Sequence, residues 1–354
     1  MPSSTSGDRA SMDSAVKNQA YVAELQPGGQ GLAQQQNSLG AQARDAGAEW
    51  RGERLIPKRV VIETVFGCNA RCHMCPITLP ETRKPEIMPM DKYRALIDSL
   101  APYSEQIKML DLFGLGEPLI DPLIFQRIHY TRDKGFRGLS ISTNMHLMDA
   151  AKRRAILDTG IETVIISIDG IKKETHEAIR PRVNYDRVVD NTLALILLRN
   201  EGGYKTRFVI RFIQQPRNRE EWEPYREFWS AHISKEKNDL ILCYQIHDWS
   251  GKVDENLGVS SDRQAMDALL ESVPCHHIFE KLVIQADGSV SLCFEDLYDS
   301  PFEFGNVHKT DPIEIFNSPR FNKIRKLHQD GKRKNLKICE GCSVLTNELL
   351  RIEG

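Results

Sequence analysis

Three cysteines fall within eight residues in the stretch FGCNARCHMCPI, at positions 68, 72 and 75. Thiolates in threes and fours bind zinc or iron–sulfur clusters. A tetrahedral zinc site needs a fourth ligand close by, and His73 lies between Cys72 and Cys75. A cubane [4Fe–4S] cluster is the other solution: Cys68, Cys72 and Cys75 take three irons and the fourth stays open to a substrate or cofactor. The spacing alone leaves both open. A second group, Cys275, Cys293, Cys339 and Cys342, closes with Cys-x2-Cys. Four thiolates satisfy every iron of a second [4Fe–4S] cluster, or fill a structural zinc site. Cys243 belongs to neither group.

The elements that would carry these residues alternate from residue 58 onward. Short β-branched stretches at 59–65, 107–114, 138–144, 162–170, 206–215 and 239–247 read as strands. Between them, 90–102, 122–135, 148–160, 185–203 and 219–231 have helical spacing, with Gly135 and Gly160 as stops. Six strand–helix steps predict a parallel α/β architecture, either an open sheet or a barrel. In both, the loops at the carboxyl ends of the strands build the site. The cysteine triplet follows strand one, GLGEP (114–118) follows strand two, STN (142–144) ends strand three and SIDG (167–170) ends strand four. Four unusual loops therefore converge on one face.

Those loops together resemble the radical S-adenosylmethionine (SAM) superfamily over residues 58–250. The likeness rests on the cysteine spacing, on Gly116, Glu117 and Pro118, on Ser142, Thr143 and Asn144, and on Ser167 with Asp169. It implies a partial (β/α)6 TIM-type barrel and a [4Fe–4S] cluster on Cys68, Cys72 and Cys75. SAM would chelate the open iron through its amino and carboxylate groups. Glu117 would accept from the SAM ammonium, Ser142 and Asn144 would bond the methionine or ribose portion, and Ser167 and Asp169 the ribose. Met74 stands where the family often has an aromatic side chain against the adenine. Each has a plainer reading as well: Ser142 and Asn144 as helix caps, Asp169-Gly170 as a turn. Arg180 and Arg211 need anionic partners. Those are the SAM carboxylate, a substrate, or a neighbouring acid.

After the sixth strand the pattern changes. An Asp287-Gly288 turn between two strands predicts a hairpin bracketed by Cys275 and Cys293. An amphipathic helix is expected over 311–328, followed by the Cys339/Cys342 pair. This order resembles the shortened SPASM module called twitch, which holds one auxiliary [4Fe–4S] cluster. The cysteine spacing resembles that of the 2-deoxy-scyllo-inosamine dehydrogenases, which oxidise a secondary alcohol on an aminocyclitol. The resemblance implies cleavage of SAM to a 5′-deoxyadenosyl radical and removal of hydrogen from a small polar metabolite, most simply for oxidation. Alternatives are an epimerase in which Cys243 returns hydrogen, a peptide-modifying maturase, and a non-catalytic electron carrier. For Cys243 a buried core position competes with the donor role. A flavodoxin or ferredoxin is the electron donor the family implies.

Bulk composition limits the remaining classes. The net charge is −2, with 27% charged and 40% hydrophobic residues, so nothing points to nucleic acid or an anionic membrane surface. No apolar run reaches the roughly 18 residues that span a bilayer. Without an apolar h-region at the N-terminus, a cytoplasmic protein with reduced cysteines is expected. Residues 1–57 are rich in Gly, Ser, Gln and Ala and read as a disordered tail, followed by a core at 58–250 and a C-terminal module at 251–354.

Overall fold

The structure, a computed structural model, describes residues 50–79, 83–246, 249, 253, 273–298, 302–340, 342, 344–345 and 352–353. The expected tail lies outside the described residues up to residue 49, and so do His247 and Asp248. Residues 50–57 are described, and here the tail boundary needs correcting. Asn317 accepts from the Leu55 amide at 2.7 Å and donates to the Leu55 carbonyl at 2.9 Å. Trp50 packs edge-on against Phe279. Apolar Trp50, Leu55 and Ile56 give this segment enough to bury.

The six expected strands form: β1 (Arg59–Ile62), then, past the short antiparallel pair β2 (Val65–Phe66) and β3 (Glu86–Ile87), β4 (Met109–Asp111), β5 (Leu139–Thr143), β6 (Thr163–Ser167), β7 (Arg207–Gln214) and β8 (Leu240–Gln245). They pair in parallel in the order β1-β4-β5-β6-β7-β8. Helices α1 (Met90–Leu100), α2 (Ile124–Asp133), α3 (Ala150–Asp158), α5 (Tyr185–Glu201) and α6 (Trp222–Ser230) follow the strands, and an unforeseen α4 (Lys173–Ile179) precedes α5. This is the partial barrel. Alternation sorts its faces. On β7, Phe208, Ile210 and Phe212 are fully buried, and Phe212 packs on Trp222 and Tyr225 of α6. Arg211 and Ile213 face the barrel interior.

Helix α7 (His277–Glu280) leads into β9 (Lys281–Ile284), which turns through Asp287-Gly288 into β10 (Val290–Ser291) as the predicted hairpin. The hairpin is not a separate sheet. β9 lies parallel to β1, with Arg59 opposite Lys281 and Ile62 opposite Ile284. β11 (Ile352–Glu353) pairs antiparallel with β8 at the opposite edge. The helix expected over 311–328 is two, α8 (Pro312–Phe316) and α9 (Pro319–Gln329). Ser318 caps α9 by accepting from the Phe321 amide, and Pro319 has no N–H with which to continue α8.

Candidate active site

The turn after β1 is shaped by backbone contacts. The Arg71 amide donates to Pro181 O and the His73 amide to Ile179 O, which tie the cysteine loop to the end of α4. Cys68, Cys72 and Cys75 all line one cavity of about 200 Å³, together with Met74, Gly116, Glu117, Ser142, Asn144, Ser167, Arg180 and Arg211. Eleven of the twelve expected contact positions at this first site are thus brought together. Asp169 is not among the lining residues.

Gly116 explains how the second loop reaches the first. It forms a parallel bridge with Gly67, and the Glu117 amide donates to Gly67 O at 2.9 Å. A Cβ at 116 would stand 2.3 Å from the Val65 carbonyl oxygen, so only glycine fits. Glu117 is fully enclosed. Its carboxylate accepts from Thr143 Oγ1 at 2.7 Å, from the Asn144 amide at 2.8 Å and from the Leu119 amide at 3.2 Å. Burial raises its pKa against the pull of those donors. Glu117 therefore clamps the loop after β5 onto the loop after β4, a role that the expected ammonium contact did not include. Asn144 is similarly engaged. Its Nδ2 donates to Asn69 Oδ1 at 3.0 Å and lies 3.9 Å from Cys68 Sγ.

The two arginines differ. Arg180 donates from Nε to Asp169 Oδ2 at 2.7 Å and places Nη1 3.7 Å from Cys72 Sγ. Asp169 Oδ1 accepts from the Ile213 amide at 2.8 Å. The ribose role expected of Asp169 is corrected accordingly: both its oxygens accept from protein groups, and Asp169 itself does not line the cavity. Arg211 has no acid partner among the described residues. Its Nη2 donates to Ser142 Oγ at 3.0 Å and Ser167 Oγ at 2.9 Å, and its buried Nε has no partner. Burial, then the Arg180 charge, lowers its pKa. Its charge thus has only hydroxyl partners among the described residues.

Cys243 needs a further correction. It stands opposite Phe212 in the parallel β7–β8 register, hence on the same side of the sheet. That side packs against α6, and Cys243 is fully buried and absent from the cavity wall. From there its thiol does not face the cavity, and the core reading is the one the structure supports.

The cavity also takes Phe113, Trp249 and Phe294 into its wall. Trp249 packs on Phe294 at 5.8 Å and Phe113 on Phe294 at 6.2 Å between ring centroids. Phe294 directly follows Cys293, so the C-terminal cysteine loop walls the first cavity. No pattern near Phe294 signalled this, because it depends on β9 docking beside β1.

Among the described residues no three His, Cys, Asp or Glu side chains gather as ligands of a single metal ion. The first three thiols instead surround a space, as the corners of a cluster require. Burial pushes Cys68 and Cys75 up to about 12, and raises Cys72 too. Thiols so enclosed become thiolates when a cationic metal centre compensates their charge. At the second site burial pushes Cys339 up to about 12 and raises Cys293 and Cys342 further still. Their mutual repulsion adds to this, with Cys275 acting on Cys339 and Cys342. Thiols from three separate segments are thus near enough to act on one another electrostatically. Both donor sets fit iron–sulfur clusters.

Comparison with known proteins bears on the same loops. The radical SAM superfamily model matches residues 62–210. That match takes in all three cysteines of the first group. The SPASM model, an iron–sulfur cluster-binding domain, matches residues 275–343. SAM and iron–sulfur clusters are thus the cofactors of these two domains. The chain is 26% identical over 256 residues to the Fe-coproporphyrin III synthase of Methanosarcina barkeri, covering 70% of this chain and 59% of that protein. It therefore spans less than two thirds of that relative. SuiB of Streptococcus suis, solved bound to the precursor peptide SuiA, superposes with a TM-score of 0.62 at 16% identity, over 86% of this chain and 76% of SuiB. BtrN, solved in complex with AdoMet and 2-DOIA, superposes at 0.55 and 15% identity, over 82% and 94%. At these identities the structural likeness is one of fold. Among the described residues no helix is long and apolar enough to cross a membrane.

Proposed function

We propose that this chain is a radical SAM oxidoreductase that removes a hydrogen atom from a small organic substrate, whose radical then gives one electron to the C-terminal cluster and one proton to solvent. The single observation that carries this reading is Phe294, which lines the cavity of the first three cysteines and directly follows Cys293 of the second group. An electron acceptor one residue from the substrate wall suits oxidation. Cys243, the candidate hydrogen donor, is not on that wall and faces α6. On the same geometry the epimerase alternative loses its candidate donor.

In this reading Cys68, Cys72 and Cys75 hold the SAM-binding [4Fe–4S] cluster, and Cys275, Cys293, Cys339 and Cys342 the auxiliary one. The first cluster, when bound and reduced, supplies the electron that cleaves SAM to methionine and a 5′-deoxyadenosyl radical. The protein supplies placement and exclusion of water. Arg211 offers its unmatched charge to a carboxylate of SAM or of the substrate, with Ser142 and Ser167 fixing the guanidinium. Arg180, already neutralised by Asp169, steadies Cys72. Glu117 and Asn144 hold the loops around the bound cofactor. Met74, Trp249 and Phe294 provide the apolar wall. A small polar substrate of the sugar or aminocyclitol type fits the polar floor at Arg211, and a flavodoxin or ferredoxin supplies the electron.

The test separates the two clusters. Anaerobic protein loaded with iron is compared with a variant in which Cys275, Cys293, Cys339 and Cys342 are alanine. The variant is expected to cleave SAM to 5′-deoxyadenosine but to give no oxidised product. Oxidised product at wild-type yield would overturn the proposal, as would SAM cleavage that survives alanine at Cys68, Cys72 and Cys75.

A further inference from the structure

His328 lies on α9, in neither cysteine group, and is buried. Its ring is clamped at both ends by cysteines of the second group. Nδ1 accepts from the backbone amide of Cys275 at 3.2 Å. Nε2 lies 3.6 Å from Cys339 Sγ. An imidazole nitrogen that accepts an N–H carries no proton, so in the neutral ring the proton sits on Nε2 and points at the sulfur. The helix behind the ring is fixed in turn. Arg325 donates from Nε to Ile278 O at 3.0 Å, and Gln329 donates to Trp50 O at 2.8 Å. The orientation of the ring is therefore set by the fold.

We propose that His328 donates an N–H···S hydrogen bond to the Cys339 thiolate and thereby raises the reduction potential of the cluster held there. A donor to a ligand sulfur stabilises the form with more negative charge, which is the reduced one. Hydrogen bonds to ligand sulfurs are among the means by which a protein sets such potentials. A higher potential suits a cluster that receives an electron from a substrate radical, and to that extent the inference rests on the oxidative reading above. His328 is a positioning residue, since it acts through Cys339.

The experiment is a redox titration of iron-loaded protein followed by electron paramagnetic resonance, on wild type, His328→Leu and His328→Gln. His328→Leu is expected to move the midpoint of the C-terminal cluster negative and leave that of the first cluster in place. A tenfold change in the reduced-to-oxidised ratio at fixed potential corresponds to about 59 mV for one electron. His328→Gln keeps an N–H donor and is expected to recover part of the shift. Unchanged midpoints in both variants overturn the proposal. Should the leucine variant fail to retain iron, wild-type protein labelled with 15N-histidine decides. The reduced C-terminal cluster must then show hyperfine coupling to a histidine nitrogen and an exchangeable proton, and absence of that coupling also overturns the proposal. Potentials are read whether or not product forms. Shifted midpoints alongside product from the variant lacking the four C-terminal cysteines would sink the oxidative reading alone.

Discussion

Gly116→Ala puts the geometry of the first site to a quantitative test. The added Cβ would stand 2.3 Å from the Val65 carbonyl oxygen and 3.0 Å from that of Gly67. An unstrained carbon–oxygen contact needs roughly 3.3 Å, so the two strands of backbone must separate by about 1 Å. That separation stretches the Glu117 N–H···O bond to Gly67, now 2.9 Å, beyond useful length. Overpacking of this kind costs about 1–3 kcal/mol, and the lost hydrogen bond about 1 kcal/mol. The effect on chemistry should exceed the effect on stability. Glu117 moves with the loop, and with it the clamp on Thr143 and Asn144 that borders Cys68. A misplacement near 1 Å at a reacting centre costs on the order of 10²-fold in rate. The assay is formation of 5′-deoxyadenosine from SAM by anaerobic, iron-loaded protein, with a thermal melt of the same samples. A variant that keeps both the wild-type cleavage rate and the wild-type melting temperature would refute the claim that this backbone contact builds the site.

Two further variants test other parts of the argument. Cys243→Ala removes a core sulfur on the α6 side of the sheet, so it should cost about 1 kcal/mol and leave SAM cleavage and product yield within about twofold of wild type. Loss of product with cleavage intact would restore the hydrogen-donor role. His176 is buried against Tyr185, accepts from the Asp169 amide at 3.2 Å, and has its pKa pushed down to about 3 by burial and by Arg180. The unfolded chain takes up a proton near pH 6.5 that the folded chain refuses. Stability is therefore lost as pH falls from 6.5 toward 3, by about 1.4 kcal/mol per unit from this group. Urea midpoints between pH 5 and 6.5 should fall more steeply in wild type than in His176→Gln, and parallel curves would remove His176 from the account.

Much of the site was legible because its residues sit where strands end. The loops after β1, β4, β5 and β6 were placed on one face by the alternation of strands and helices, and eleven of the twelve expected positions line one cavity. What composition and periodicity could not supply is partner choice. Arg180 and Arg211 look alike in sequence, each a cation in need of an anionic partner that periodicity does not name. The structure gives Asp169 to Arg180 and only hydroxyls to Arg211. Cys243 failed for a related reason. A strand's alternation has two phases, and only the register with Phe212 says which one faces α6. The helix over 311–328 was misread as continuous because apolar spacing carries across a capped break.

The contact between the two cysteine groups has a structural cause that lies at β1. Its parallel pairing with β9 adds the C-terminal hairpin to the barrel sheet beside the strand that launches Cys68, Cys72 and Cys75. Just past β1, Glu63 is fully buried and serves both sides. It accepts from Leu115 N at 2.9 Å in the Gly-rich loop and from Ala286 N at 3.3 Å in the hairpin turn, with Arg83 Nη2 at 2.8 Å matching its charge. Burial raises its pKa despite these donors, so the carboxylate is held where only several partners together make it tolerable. One side chain thus fixes the loop that carries Glu117 relative to the hairpin that leads to Cys293 and Phe294. Because the hairpin is registered residue by residue on β1, the second donor set cannot shift along the sheet without exposing Val60 and Ile62, both fully buried. A fixed separation between the substrate wall and an electron acceptor is what oxidation by this route requires, and it follows from strand register.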